Sequence, residues 1–173
     1  GEGSKFDSYE SLYKKYPNDQ YLANGAARSL MINDKLDEAR VLLEEAFNAM
    51  PSAGFLSNLL AYTYMNNEEP GSDEFEKASG HLRRYMRTEN GKDGLANALD
   101  SMGEYYLMKG DFENALAHFR ESFEAMRRYP NEMNHGCVAF CELILKEKLT
   151  QYYEEALKAI GEFAEDLLIF PKH

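Results

Sequence analysis

A chain of 173 residues with 44% hydrophobic and 28% charged side chains has the makings of one domain or one continuous array of repeats. Its formal net charge of −11 opposes a phosphate backbone, and no Lys/Arg cluster offsets that field, so a nucleic-acid partner is excluded as an expectation. No apolar run reaches the ~18 residues of a membrane span, and two cysteines, Cys137 and Cys141, do not make a disulfide framework.

Taken in chain order, the sequence predicts about nine helices and no strand pair. The first covers residues 6–16 and stops at Pro17. Helix pairs follow within 20–53, 54–92, 96–130 and 131–170. Turn and N-cap chemistry stands between them at Asn18-Asp19, Asn33-Asp34, Pro51-Ser52 and Lys109-Gly110-Asp111. Extra residues at 69–73, at 91–94 and near Lys148 read as loops or lengthened helices. The pairs Arg83-Arg84 and Arg127-Arg128 read as solvated helix faces. The chain opens on Gly1, which reads as an expression remnant, so the compartment stays open: cytoplasm, or periplasm and beyond if a signal peptide was removed.

The pairs repeat. A small residue precedes a bulky one at i, i+3 in Ala27/Leu30, Ala61/Tyr64, Gly103/Tyr106 and Cys137/Phe140, with a 34-residue step from the first to the second and from the third to the fourth. A second column places small before bulky at i, i+4: Ala39/Leu43, Ala78/Leu82, Ala115/Phe119 and Ala156/Ile160. Three residues further on stand Ala46, Tyr85, Ser122 and Phe163. The clearest copy runs MGEYYLMKGDFENALAHFRESFEAM, from Met102 to Met126.

These columns resemble the tetratricopeptide repeat, W-x2-L-G-x2-Y…A-x3-F…P. The departures are the absence of Trp, and Ala23 and Ser57 at the bulky first position. The resemblance implies an all-α fold, an α-α superhelix or tetratricopeptide-like solenoid of about nine helices, with one leading helix and four antiparallel pairs in a single array over 1–173. The leading helix, at 5–17, matches only the second half of a repeat: Lys5, Tyr9, Leu12 and Pro17 precede Ala39, Leu43, Ala46 and Pro51 by the same step. Such pairs cannot bury their apolar faces alone and share stability with their neighbours.

Little in the chain promises catalysis. No Gly-rich phosphate loop, H-E-x-x-H or G-x-S-x-G is present. His135, Cys137 and Cys141 lack a fourth metal ligand, and Cys137 falls in a small-residue column, where it reads as a packed apolar group. The expectation is no enzyme, no metal and no cofactor.

The family resemblance further implies that the first helix of each pair lines a concave, peptide-binding groove. On that phase the fifth position is a ladder of Asn24, Asn58, Asp100 and Asn134, whose side chains match the N–H and C=O of an extended peptide. Solvated residues on an exposed face remain the alternative reading. Tyr21, Phe55, Asn97 and Asn131 hold the second position, Arg28, Tyr62 and Glu104 the ninth, and Met31, Met65, Leu107 and Cys141 the twelfth. The family's clamp for a chaperone's C-terminal carboxylate would fall on Asn24, Arg28, Leu59, Asn97 and Ser101, which keep one cation, so that partner is not expected. The expected function is a non-enzymatic protein- or peptide-binding scaffold. The alternative is an architectural appendage that docks to another domain or forms a homodimer through the C-terminal helix. It is motivated by the apolar ending Leu167-Leu168-Ile169-Phe170 and a loose likeness of the third copy to bacterial repeats on larger chains.

Overall fold

The computed structural model describes residues 3–66, 70–89, 91–92, 94–129 and 135–167, with side chains between Tyr9 and Phe163. Among these residues the fold is all-α, with nine helices, a short 3-10 turn and no strand. The helices are α1 (Gly3–Lys15), α2 (Gln20–Ile32), α3 (Leu36–Ala49), α4 (Gly54–Met65), α5 (Ser72–Glu89), α6 (Leu95–Met108), α7 (Phe112–Arg128), α8 (Gly136–Lys146) and α9 (Tyr153–Leu167). The leading helix begins three residues before the predicted start and ends one residue earlier than predicted. Pro17 supplies no backbone N–H to continue it, and the closing bonds run from Tyr16 N–H to Leu12 and Tyr13.

Local chemistry fixes the helix ends. Asp19 caps α2 by accepting from the backbone N–H of Tyr21 and Leu22 at 2.9 and 3.1 Å. Asp111 caps α7 through Asn114 N–H and, at 2.7 Å, its side-chain amide. The preceding Gly110 takes φ +72°, which a side chain would strain. The insertion near Lys148 becomes a left-handed residue at Lys148 and the 3-10 turn Thr150–Tyr152.

The contacts divide the chain into two compact units, Gly1–Thr88 and Glu89–His173. In the first, α1 packs on α2, α2 on α3 and α3 on α4, and α2 also meets α4. Its core holds Ala23, Ala27, Leu43, Leu56, Leu60 and Ala61, all essentially inaccessible. Tyr9 of α1 lies against Gly25, leaving no room for a β-carbon there. Arg40 reaches from α3 to the last turn of α4, donating to Thr63 O at 2.8 Å, with its guanidinium 4.4 Å from the Tyr64 ring centre. The α5 helix is held by ring contacts: His81 stacks on Tyr64 and meets Phe47 edge-on, and Arg84 lies 4.5 Å from the centre of Phe47. Arg84 is exposed, as a solvated face requires, and also covers the Phe47 ring.

In the second unit α6 packs along α7, α7 along α8 and α8 along α9. Gly103 is buried where α6 crosses α7, so close that a β-carbon would stand 2.5 Å from Phe119. Ser122 donates to Ala96 O at 2.9 Å and closes the same crossing. Two arginines tie α7 to α9. Arg120 donates to both oxygens of Glu155 at 2.6 and 2.8 Å, and Arg127 to both of Glu162 at 2.6 and 2.7 Å. Arg127, expected as a solvated face, is exposed and also ion-paired. The column of bulky residues also shifts in α9: Ala156, Ala159 and Phe163 are buried, while Ile160 is 42% exposed. Phe163 meets Phe123 at 5.8 Å and so sets the helix phase.

Candidate functional site

In the first unit the candidate residues of the first helices share one register. Tyr21 and Phe55 each stand in the opening turn of their helices, α2 and α4, and their rings stack at 5.9 Å with 20° between planes. Tyr21 is nonetheless 71% exposed, so the stack presents an open aromatic platform. One turn further along stand Asn24 and Asn58, both half-buried. Asn24 Oδ1 accepts from Arg28 Nε at 3.3 Å, while Arg28 itself is largely exposed. Asn58 Oδ1 is buried with no hydrogen-bond partner among the described residues. A buried acceptor in that state carries its desolvation cost uncompensated. Tyr62, one further turn along α4, is half-buried.

In the second unit Asp100 is 7% exposed, and its Oδ1 also has no partner among the described residues. Burial, and then the charge of Glu104 one helical turn away, push its carboxyl up to about 7. Glu104 and Asn97 are half-buried. Asn134 and Asn131, the remaining ladder and second-position residues, lie outside the described residues. The structure thus brings Tyr21, Asn24, Arg28, Phe55, Asn58 and Tyr62 together on α2 and α4, and places Asp100 and Glu104 separately on α6 of the other unit. At the twelfth position Met65 and Cys141 are buried, so they pack rather than face a ligand, whereas Met31 and Leu107 are half-buried. Of the positions matching the chaperone-tail clamp, Leu59 and Ser101 are buried.

The thiols are equally enclosed. Cys137 is pushed up to about 12 by burial, with neighbouring Cys141 adding to the effect. Cys141 Sγ contacts Ala156 O at 3.7 Å. Such thiols are poor nucleophiles. Among the described residues no three His, Cys, Asp or Glu side chains gather into a metal-binding group, and no helix is long and apolar enough to cross a membrane.

The buried small–bulky columns and the paired helices define a tetratricopeptide-like fold. Solved structures of MamA share it. One MamA structure matches with a TM-score of 0.64 at 15% identity, covering 92% of this chain and 89% of its own. A second matches with the same score and identity over 98% of this chain and 91% of its own. No protein-family model and no curated protein sequence matches the chain.

Proposed function

We propose that this chain is a non-enzymatic scaffold that binds an extended peptide or protein segment across the first helices of its repeats, with Tyr21, Asn24, Arg28, Phe55, Asn58 and Tyr62 as the contact residues in its first unit. One observation carries the reading. On one face of α2 and α4, an exposed aromatic stack stands beside an asparagine whose amide oxygen lacks a partner. The stack offers apolar contact with little conformational freedom left to lose. Asn58 Oδ1 is enclosed, so a peptide reaches it only where the side chain turns outward; once turned, the amide offers a donor and an acceptor to a peptide backbone whatever its side chains. In the second unit Asp100, Glu104 and Asn134 belong to the same reading, with Glu104 giving that segment its acidic character. The −11 net charge suits a neutral or basic partner.

The test is capture of binding partners with the intact chain as bait, followed by titration of a captured segment against Asn58→Ala and Tyr21→Ala. Loss of one net hydrogen bond, roughly 0.5–1.5 kcal/mol, predicts a weakening of several-fold for Asn58→Ala with the helical signal intact. Unchanged affinity in both variants would count against the face.

A second reading, self-association through the C-terminal helix, draws on Tyr153, Leu157 and Ile160, which recur on one face of α9 and remain exposed. Of the apolar ending that motivated it, 168–170 lies outside the described residues. Light scattering of the native chain beside Leu157→Glu distinguishes the two readings: a dimer lost in the variant supports association, and a monomer in both supports the scaffold alone.

A further inference from the structure

Each unit carries a cleft between consecutive second helices. The first, of about 530 Å³, lies between α1 and α3 over Leu30 of α2. The other, of about 470 Å³, lies between α7 and α9. The two clefts are in the same register. Along the first wall Glu10, Tyr13 and Lys14 stand, at one constant offset, where Arg120, Phe123 and Glu124 stand. Along the second wall Glu38, Leu42 and Glu45 stand, at another constant offset, where Glu155, Ala159 and Glu162 stand.

That correspondence exposes one difference in chemistry. In the second unit both acids of the far wall are occupied, Glu155 by Arg120 and Glu162 by Arg127. In the first unit the same two acids are kept as Glu38 and Glu45, but the arginine positions hold Glu10 and Pro17. The fasteners are gone and their acceptors remain. Glu38 has a weak exposed partner at 3.4 Å in Lys35, the residue just before its helix. Asp37, also on the rim, is paired with Arg40 at 3.1 Å. Glu10 and Glu45 have no ion-pair partner among the described residues, and Lys14 is the cation among the lining side chains. Between the acids the floor is apolar, with Val41 exposed where the other cleft has Lys158.

We propose that the cleft of the first unit is a docking site for a basic amphipathic helix of a partner protein, which supplies the two cations this cleft lacks. Glu38 and Glu45 lie two turns apart on α3, about 10.5 Å, so cations seven residues apart on an approaching helix meet both. An apolar side chain between those cations falls on Tyr13, Val41 and Leu42. This is recognition of a helix in a groove with the register set by charge. The surface is distinct from the Tyr21–Phe55 face, and either can fail without the other.

The probe is a short fluorescent helix-forming peptide with two arginines seven residues apart and leucines between them, titrated into the full chain at low ionic strength. A version with glutamates for the arginines serves as control. The expected result is saturable binding of the arginine peptide alone, weakened by added salt. Glu38→Gln and Glu45→Gln should each reduce affinity by roughly 1.4- to fivefold, the range for an exposed ion pair. Glu162→Gln, in the other unit, should leave it unchanged. Glu10→Arg should weaken binding at least as much as Glu38→Gln, because the new guanidinium takes Glu38 as Arg120 takes Glu155. All four positions are surface ones, so circular dichroism confirms a retained fold. Binding indifferent to these substitutions, or no binding at all, overturns the proposal. So does peptide-induced NMR shift at Tyr21 and Phe55 instead of Val41 and Leu42, or a self-association of the chain that Glu10→Arg removes.

Discussion

At Gly103 a single hydrogen atom decides whether α6 can reach α7. The space a β-carbon would need is taken by the Phe119 ring. Gly103→Leu is therefore expected to cost on the order of 1–3 kcal/mol by overpacking, read as a lowered thermal midpoint. An unchanged midpoint would mean that the crossing is not set by this contact. Asp100 raises the opposite problem, a buried carboxyl whose Oδ1 finds no partner among the described residues. Its folded carboxyl titrates at about 7 against an ordinary 3.8. Between those values the folded state keeps a proton that the unfolded state has lost. Stability should then fall as pH rises from about 4 to about 7, and level off above. Asp100→Asn should flatten that slope and stabilise the chain at pH 8, by roughly 1–4 kcal/mol. Urea unfolding between pH 5 and 8 checks both parts. The sequence revealed the position of Asp100, because repeat phase depends on spacing alone. It did not reveal the burial, because enclosure depends on what the neighbouring helices bring to it.

Elements were the most legible level, and for a physical reason. Small residues at Ala27, Ala61 and Gly103 must lie at crossings, since nothing larger fits, and all three are buried. In α9 the same reasoning misplaced one side chain. Ala156 is compatible with two phases, one burying Ile160 and one burying Ala159, and the Phe163–Phe123 contact selects the second. Charged residues were harder still. Arg127 looks like a solvated pair with Arg128 until α9 is folded beside it and Glu162 arrives. Each such exposed bridge is worth only about 0.2–1 kcal/mol. Together, though, they fasten the last described helix along its length. The double variant Arg120→Met, Arg127→Met should raise amide hydrogen exchange throughout α9 while leaving α6 and α7 protected. Equal exchange in both proteins would assign the holding of α9 to Phe163 and Ala159 alone.

Across the whole molecule the acidic excess acts against compaction. A formal charge of −11 on 173 residues repels itself, and salt shortens the range of that repulsion to ~10 Å at 0.1 M. The same salt weakens the arginine bridges. Self-repulsion involves every acid and the bridges only a few, so added sodium chloride should raise the thermal midpoint, by about 2–4 °C for each 1 kcal/mol gained. A falling midpoint would show that the bridges dominate. At this scale the sequence was least informative about the candidate site. It placed Tyr21 and Phe55 in equivalent columns, yet the ring stack between them, and the orphaned amide of Asn58 beside it, depend on how closely α2 and α4 approach.

The shared register of the two clefts also bears on ancestry. Tandem duplication copies a rim along with its core, and afterwards the two are not equally free to drift. Replacing Leu43 or Phe119 damages the packing, and selection removes such changes. The rim is the freer of the two, though its arginines also lie 5.4 and 6.0 Å from the ring centres of the buried Phe140 and Phe163, contacts that Glu10 and Pro17 at the matching positions cannot make as cations. A protein built this way can change the charge of a rim while keeping most of its interior.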